Sequence, residues 1–466
     1  MKMKMSWKDF LKVMVTIALP IAFQNLLSTT ASMVDTIMIG SQGELSVAAV
    51  GICAQIGSLF FSAYWGFASA SILFFSQFWG AQDEKGINKT FGISFIFMCL
   101  VGFSFAALCV MNPTFMLSIY TDKTAIIQAG EPYIRIIGLA YPMQAFGVLV
   151  SFLLRSTERI KAPLICSIVS LIVNFCLNFV LIYGRFGVPK MGISGAAVGT
   201  LVSGVVNLVL LVIYLLRSKS SLRLHISQLF HIDGTFFKTY LTKAFPILCN
   251  EFFYGTGQML INIVIGHQDE SAIAAMAAFR VCEGFVFAFF GGLSNATSVV
   301  VGQNVGSGEH KDAYQFVKRS ALFCPMVTFT IVLICTVLHH PLLGLFGLGE
   351  TAIMYGKYML LIYLFLGSIR TCNYIMNESY RAAGESVFGT VVETLGLFLI
   401  SVPATWIAGM VLHLPFLAVF AFVYTDELIR LVIELKYTHS GKWIKPVTKE
   451  GKQTLSEFRK LLNEKA

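Results

Sequence analysis

From Leu45 to Gln82 the chain carries no charged side chain, and the stretches Phe91–Thr121, Ala162–Gly184 and Met191–Leu216 are uncharged as well. Roughly 20 apolar residues suffice to cross a bilayer as a helix. In hydrocarbon the backbone must satisfy its own polar groups, which leaves helices or closed barrels as spanning structures. Transmembrane strands are short and alternate in hydrophobicity, whereas these runs are long and continuously apolar. The fold class they predict is an all-α membrane protein. Taken in order, the runs place twelve helices near 13–39, 45–79, 91–111, 132–154, 163–183, 192–216, 240–266, 272–303, 320–338, 358–377, 387–410 and 414–433. Composition agrees: 13% of residues are charged and the mean hydropathy is +0.74, against about 25% charged in soluble proteins.

The net charge of +9 is a matter of topology. With both termini on one side, that side holds 27 of the 34 Lys and Arg residues and the opposite side holds 4. The remaining three, Arg135, Arg280 and Arg370, fall within helices. The positive-inside rule then predicts cytoplasmic termini in an inner or plasma membrane. The basic side faces anionic lipid headgroups, and no nucleic-acid partner is implied. The first apolar run is longer than the core of a signal peptide and has no small-residue cleavage site after it, so it is expected to remain as the first helix. The ten cysteines lie in or beside predicted helices without a C-x-x-C spacing. They read as apolar packing residues, with no disulfide or metal site expected.

Shifting the chain by 226 residues superposes it on itself. Pro20 falls on Pro246, Gly40 on Gly266, Glu44 on Glu270, Gly66 on Gly292, Gln77 on Gln303, Gly80 on Gly306, Lys85 on Lys311 and Arg155 on Arg381. Six helices per half is an even number, so both halves enter the membrane from the same side, as in a parallel repeat. The predicted organisation is a six-helix lobe at 1–216, a linker at 217–243, a second six-helix lobe at 244–436 and a basic tail at 437–466. The pattern Leu222, Leu224, Ile226, Leu229, Phe230 in the linker predicts a segment lying on the membrane surface.

Several ordered motifs resemble the multidrug and toxic compound extrusion (MATE) family. They are Pro20 with Asp35-Thr36-Ile37-Met38-Ile39-Gly40 and Gly43-Glu44-Leu45, Gln77-Phe78-Trp79-Gly80-Ala81, Gly302-Gln303-Asn304-Val305-Gly306, and Leu154-Arg155-Ser156-Thr157. The run Asn174-x-x-x-Asn178 followed by Gly187-x-Pro189, Gly192 and Gly195-Ala196-Ala197 is similar to the family's passage from its fifth to its sixth helix. Pro246 with Asn250-Glu251, and Arg280-x-x-Glu283, look like one bacterial branch. The resemblance covers about residues 12–443. It implies a MATE-like fold of two pseudo-symmetric six-helix lobes. It also implies export of drug-like organic cations in exchange for inward H⁺ or Na⁺.

Asp35 is the leading coupling candidate because it lies in an otherwise uncharged helix. Intramembrane acids pair, face a cavity or stay protonated. From Lys12 it is 23 residues along, about 35 Å of helix, so a place at the outer interface stands as the alternative. The family resemblance assigns cation coupling to the acid at this position. Asn174 and Asn178 lie four apart on one helical face and can bond an acid or offer carbonyl oxygens to Na⁺, or tie helices together. Some family members carry an acid where Asn178 stands. Thr200 is a further candidate, with plain packing as its alternative. Pro20 can bend the first helix, either as a static kink or, as the resemblance implies, in step with Asp35. In the second lobe Glu251, Arg280, Glu283 and Asp426 are candidate cation or substrate residues. Arg280–Glu283, Asp426–Arg430 and Glu131–Arg135 are spaced to form structural pairs within their helices.

The function expected is a secondary active antiporter working by alternating access, with H⁺ or Na⁺ as coupling ion and no other cofactor. Its partners would be small organic cations and membrane lipid. A flippase of lipid-linked substrates in the same superfamily is the alternative, although it would call for a more cationic cavity. An enzyme is not expected, since neither a P-loop nor an H-E-x-x-H motif occurs.

Overall fold

The computed structural model describes residues 6–217, 229, 233–344, 346 and 348–464. The described residues are 87% helical. Its long helices are α1 (Trp7–Gly40), α2 (Glu44–Gly80), α3 (Glu84–Met111), α5 (Thr124–Ser156), α6 (Lys161–Tyr183), α7 (Ile193–Arg217), α8 (Gly234–Gly266), α9 (Glu270–Gly306), α10 (His310–Val337), α12 (Glu350–Ala382) and α13 (Val387–Val411). Short helices α4 (Pro113–Ser118) and α11 (His339–Gly344) sit between them, and α14 (Phe416–Phe422), α15 (Thr425–Ser440) and α16 (Lys449–Asn463) complete the chain.

Ten described helices are long and apolar enough to span a membrane. The predicted seventh and twelfth spans are the two that differ. Helix α8 is 33 residues long, but Lys238, Lys243, Asn250, Glu251, Gln258 and Asn262 interrupt its apolar character. The twelfth is broken at Val423 and Tyr424 into α14 and α15. Helix α15 carries Asp426, Glu427, Arg430 and Glu434, all buried, because the charges neutralise one another inside the protein instead of facing lipid. Large apolar side chains point outward along the other helices, among them Leu100, Met111, Phe175, Phe252, Phe365 and Leu399. An apolar exterior of this kind suits lipid and not water.

The 226-residue repeat is preserved in the helix boundaries. Adding 226 to α2, α3, α4 and α5 reproduces α9, α10, α11 and α12 residue for residue. Most helices outrun the sequence-based limits, which stop near charged residues such as Lys89, Arg155 and Glu378. These charges lie on turns that continue past the apolar run. The linker pattern Leu222, Leu224, Ile226 and Phe230 lies outside the described residues.

Packing divides the chain into two compact units. One, the N-unit, is Phe23–Phe75 with Glu84–Leu241, and the other, the C-unit, is Met1–Ala22, Ser76–Asp83 and Thr242–Ala466. The division runs through three helices: α1 after Ala22, α2 after Phe75 and α8 after Leu241. Pro20 therefore stands three residues before the first of these crossings. Within the N-unit, α3 packs on α5, and α6 on α7. Gly102 lets α3 approach the backbone of Pro142, since a Cβ there would meet it at 3.0 Å. The C-unit core gathers Phe279, Phe290, Met359, Tyr363 and Phe420 from α9, α12 and α14.

Two neighbouring five-residue turns in α13, Leu397–Ser401 and Ile407–Val411, are π-helical. Such bulges commonly mark functional places in helices. The first sets Ser401 so that its hydroxyl donates to Asp426 Oδ1 at 2.6 Å and accepts from the Asp426 amide at 3.2 Å.

Candidate functional site

In the N-unit Asp35 meets the two asparagines singled out from the sequence. Asn178 Nδ2 donates to Asp35 Oδ1 at 2.7 Å and is 3.2 Å from Asn174 Oδ1. The i,i+4 spacing on α6 places both amides on the face turned to α1. Asn178 is fully buried, and helix α7 leaves room for it only because residue 199 is glycine: a Cβ there would stand 2.1 Å from Asn178 Oδ1. That amide oxygen has no hydrogen-bond partner among the described residues. Thr200 spends its hydroxyl on Ala196 O of its own helix, at 3.1 Å.

Asp35 and Asn174 border a cavity of about 260 Å³, otherwise lined by Leu27, Thr30, Ala31, Val34, Leu171, Ile172 and Phe175. Among the described residues its lining contains one carboxylate and no basic side chain. The volume is just below the usual range for small-molecule pockets, about 300–1,000 Å³. The wall is apolar and aromatic, which suits a greasy cation.

Three of the C-unit candidates, Glu251, Glu283 and Asp426, join a charge network larger than the sequence revealed. Arg430 lies 3.4 Å from Asp426, 3.4 Å from Glu427, 3.5 Å from Glu434 and 3.9 Å from Glu393. The Asp426–Arg430 pair thus forms as its spacing predicts. Arg280 and Glu283 do not pair with each other. Glu283 turns inward to Arg370 at 2.5 Å and accepts from Tyr424 Oη at 3.0 Å, while Arg280 reaches Asn262 Oδ1 at 2.5 Å. The reason is that Arg370 is half-buried and fixed by Tyr254 Oη at 2.9 Å, so it offers Glu283 an ordered partner that the exposed Arg280 does not. Glu131 and Arg135 also part company, Glu131 accepting from Thr114 Oγ1 and Arg135 donating to Val110 O at 2.6 Å. Glu251, which has no partner along its own helix, lies 3.9 Å from Arg381. Arg381 also pairs with Glu378 at 2.6 Å and approaches Glu393 at 3.9 Å.

This network borders a cavity of about 70 Å³, reached by Tyr254, Gln258, Arg280, Glu283, Asp426 and Arg430 among others. A water needs about 10–15 Å³ on this measure, so the space suits an ion with a few waters and excludes a drug-sized molecule.

Sequence reasoning missed a correspondence between the two units. In the N-unit Arg155 donates to Gln24 Oε1 at 2.7 Å, and Gln24 Nε2 donates to Ser167 Oγ at 2.6 Å. Adding 226 gives Arg381, Asn250 and Glu393. There Asn250 Nδ2 donates to Glu393 Oε2 at 3.0 Å, with Arg381 3.9 Å away. The three positions correspond, but a carboxylate has taken the place of a hydroxyl, and the arginine approaches that carboxylate where in the N-unit it bonds the amide. The offset was legible in the sequence; its polar content was masked because two of the three residues differ between the halves.

Comparison with known proteins accounts for this architecture. The MatE family model matches twice, over 20–180 and 246–407, and the two matches begin 226 residues apart. The chain is 22% identical to the uncharacterized transporter YisQ of Bacillus subtilis over 88% of this chain and 90% of that one. It is 24% identical to the probable multidrug resistance protein YoeA of the same organism, covering 86% and 87%. It is 21% identical to the probable multidrug resistance protein NorM of Thermotoga maritima, covering 93% of each. Among solved structures, a MATE protein in complex with MaL6 superposes with a TM-score of 0.81 at 17% identity, over 96% of this chain and 97% of that one. A MOP superfamily transporter from Pyrococcus furiosus, described as having a binding pocket of reverse polarity, gives 0.80 at 16% identity over 92% and 94%. The chain therefore belongs to the MATE family and is a multi-pass membrane transporter with that family's twelve-helix fold.

Proposed function

We propose that this transporter is an antiporter of the cell membrane, with both termini in the cytoplasm, that exports cationic or amphipathic compounds in exchange for inward H⁺ or Na⁺. The observation that carries the reading is Asp35, an intramembrane acid held by Asn178 on the wall of an otherwise apolar cavity. Cargo and coupling ion compete for that carboxylate. When the ion binds, the anionic charge that retains a cation is lost and the cargo leaves. Asn174 and Asn178 orient the acid, and Thr200 and Pro20 serve as supporting elements in α7 and α1. Arg280, Glu283 and Asp426 line a second polar locus whose small cavity suits an ion and excludes cargo, and Glu251 joins its charge network through Arg381. Lipid-linked phosphates fit less well, because the Asp35 cavity offers them no basic side chain.

The driving force is sufficient. One proton moving through about 100 mV yields about 2.3 kcal/mol and one pH unit about 1.4 kcal/mol. Together these sustain a several-hundred-fold gradient of a neutral compound, on the order of 10^2.7; one-for-one exchange with a monovalent cation is electroneutral, so for that cargo only the pH term acts and sustains about a tenfold gradient per pH unit. The test is efflux of a fluorescent organic cation from proteoliposomes under separately imposed pH and Na⁺ gradients. Asp35→Asn is expected to abolish gradient-driven export, and Glu251→Gln to change its ion dependence. Undiminished driven export by Asp35→Asn removes Asp35 from the coupling step.

A further inference from the structure

After α15 the chain does not trail away. Gly441 ends the helix in the left-handed region at φ +63°, and the following strap returns across the ends of α2, α9 and α12, the ends that the charge distribution assigns to the cytoplasm. Trp443 is fully buried and donates from Nε1 to Thr438 O at 3.0 Å. The Lys445 amide donates to Ala383 O at 3.0 Å, and its ammonium pairs with Glu385. The Val447 amide donates to Gln77 Oε1 at 2.8 Å, while Gln77 Nε2 donates to Ala382 O at 2.8 Å. One buried side chain of α2 thus joins the strap to the end of α12. Thr448 Oγ1 donates to Gly306 O at 2.7 Å, the last residue of α9. Helix α16 then lays Gly451 and Phe458 against α10, where His310 Nε2 lies 2.8 Å from Gly451 O.

Beneath the strap, α2 and α9 cross at their repeat-related glycines. A Cβ on Gly80 would stand 2.0 Å from Gln303 O, and one on Gly306 would stand 2.0 Å from Gln77 O. The crossing is reciprocal, as a two-fold relation requires. The strap is not, since it approaches the α2 side through Gln77 and the α9 side through Thr448.

Gly384 shows that the loop after α12 is shaped for the strap. Its φ is +94°, and a Cβ would stand 2.0 Å from Lys445 O. At the position 226 residues earlier the first half has Glu158, also left-handed at φ +65°. A side chain is therefore tolerated by that backbone conformation, and the glycine at 384 answers to the strap.

We propose that residues 441–464 form a latch that holds the ends of α2, α9 and α12 together. The latch is defined by protection of those ends and stands apart from which ion or cargo is moved.

The test is hydrogen exchange, read by mass spectrometry, on the full chain in lipid nanodiscs. Gly384→Ala is expected to speed exchange of 442–451 about tenfold or more, and to speed exchange of 76–83 and 302–309 with it, while the middle of α12 keeps its protection. Thr448→Val keeps the shape and removes two hydrogen bonds, the one to Gly306 O and the one from the Gly451 amide, so it is expected to act in the same direction by about fivefold or more. It decides the matter if Gly384→Ala loses protection throughout. Faster exchange confined to the strap, with 76–83 and 302–309 as protected as in the parent, overturns the proposal.

Discussion

Replacing Arg430 by Met should be the most damaging single change in the C-unit. The guanidinium lies within 4 Å of four carboxylates, those of Glu393, Asp426, Glu427 and Glu434. The nearest other cations are Arg370, 4.0 Å from Glu427, and Arg381, 3.9 Å from Glu393, and both already serve Glu283 and Glu378 at shorter range. Removing one partner of a buried ion pair typically costs about 3–5 kcal/mol, because the remaining charge is left without compensation. For a unit of this size each kcal/mol lowers Tm by roughly 2–4 °C, so a loss of roughly 6–20 °C is expected in thermal unfolding at a fixed scan rate. The reasoning also predicts a rescue. Glu434 is fully buried and lies against Arg430 alone among the described basic groups. In the Arg430→Met background, Glu434→Gln therefore removes a stranded charge and recovers part of the loss. A shift under roughly 2 °C in the single variant, or a double variant no more stable than the single, would refute charge compensation as the role of Arg430.

Three further outcomes follow from the same geometry. Gly199→Ala drives a Cβ into Asn178 Oδ1 and should break the bond to Asp35. Hydrogen bonds to charged groups are worth about 1.5–3 kcal/mol, so export by this variant should slow about tenfold or more. Gly204→Ala is the control, since its nearest neighbour, Met143 Cβ, is at an ordinary 3.9 Å. At Glu385, burial opposes ionisation, but Lys445 and the amides of Phe388 and Val387 outweigh it and hold the carboxyl below its ordinary value of 4.5. A depressed carboxyl stabilises the fold above the unfolded value and ceases to do so as pH falls through the folded one. The Tm gap between the parent and Glu385→Gln should accordingly be constant from pH 8 to about 5 and close below about pH 4.5; a gap that widens on acidification contradicts this.

Much of the architecture was legible because lipid imposes long uncharged runs, and because a duplication leaves Pro, Gly and charged residues at one offset. Asp35, Asn174 and Asn178 were legible together since i,i+4 spacing puts both amides on one helical face. What escaped were contacts that no local pattern encodes. Glu283 binds Arg370, which lies 87 residues away, and the helical spacing of Arg280 pointed to the wrong partner. Helix α16 did leave a local signal. Thr448 caps its first turn by accepting from the Gly451 amide at 3.2 Å, and Leu455, Phe458 and Leu462 recur at helical spacing. Its basic composition made it read as a tail.

The two halves share a backbone frame and differ in where they keep charge. Asp35 has Ile261 at its repeat-related position, buried in the C-unit core, and Ser167 has Glu393. In the N-unit a single acid borders a cavity of about 260 Å³, whereas in the C-unit several acids and arginines border one of about 70 Å³. A low-dielectric network with more carboxylates than guanidinium groups requires additional positive charge to be stable. Two half-sites of equal construction would compete for the same ligand. Two of unequal size and charge can each take a different one, so the loss of chemical symmetry after duplication is what the proposed division between a bulky cargo in one half and a small ion in the other requires.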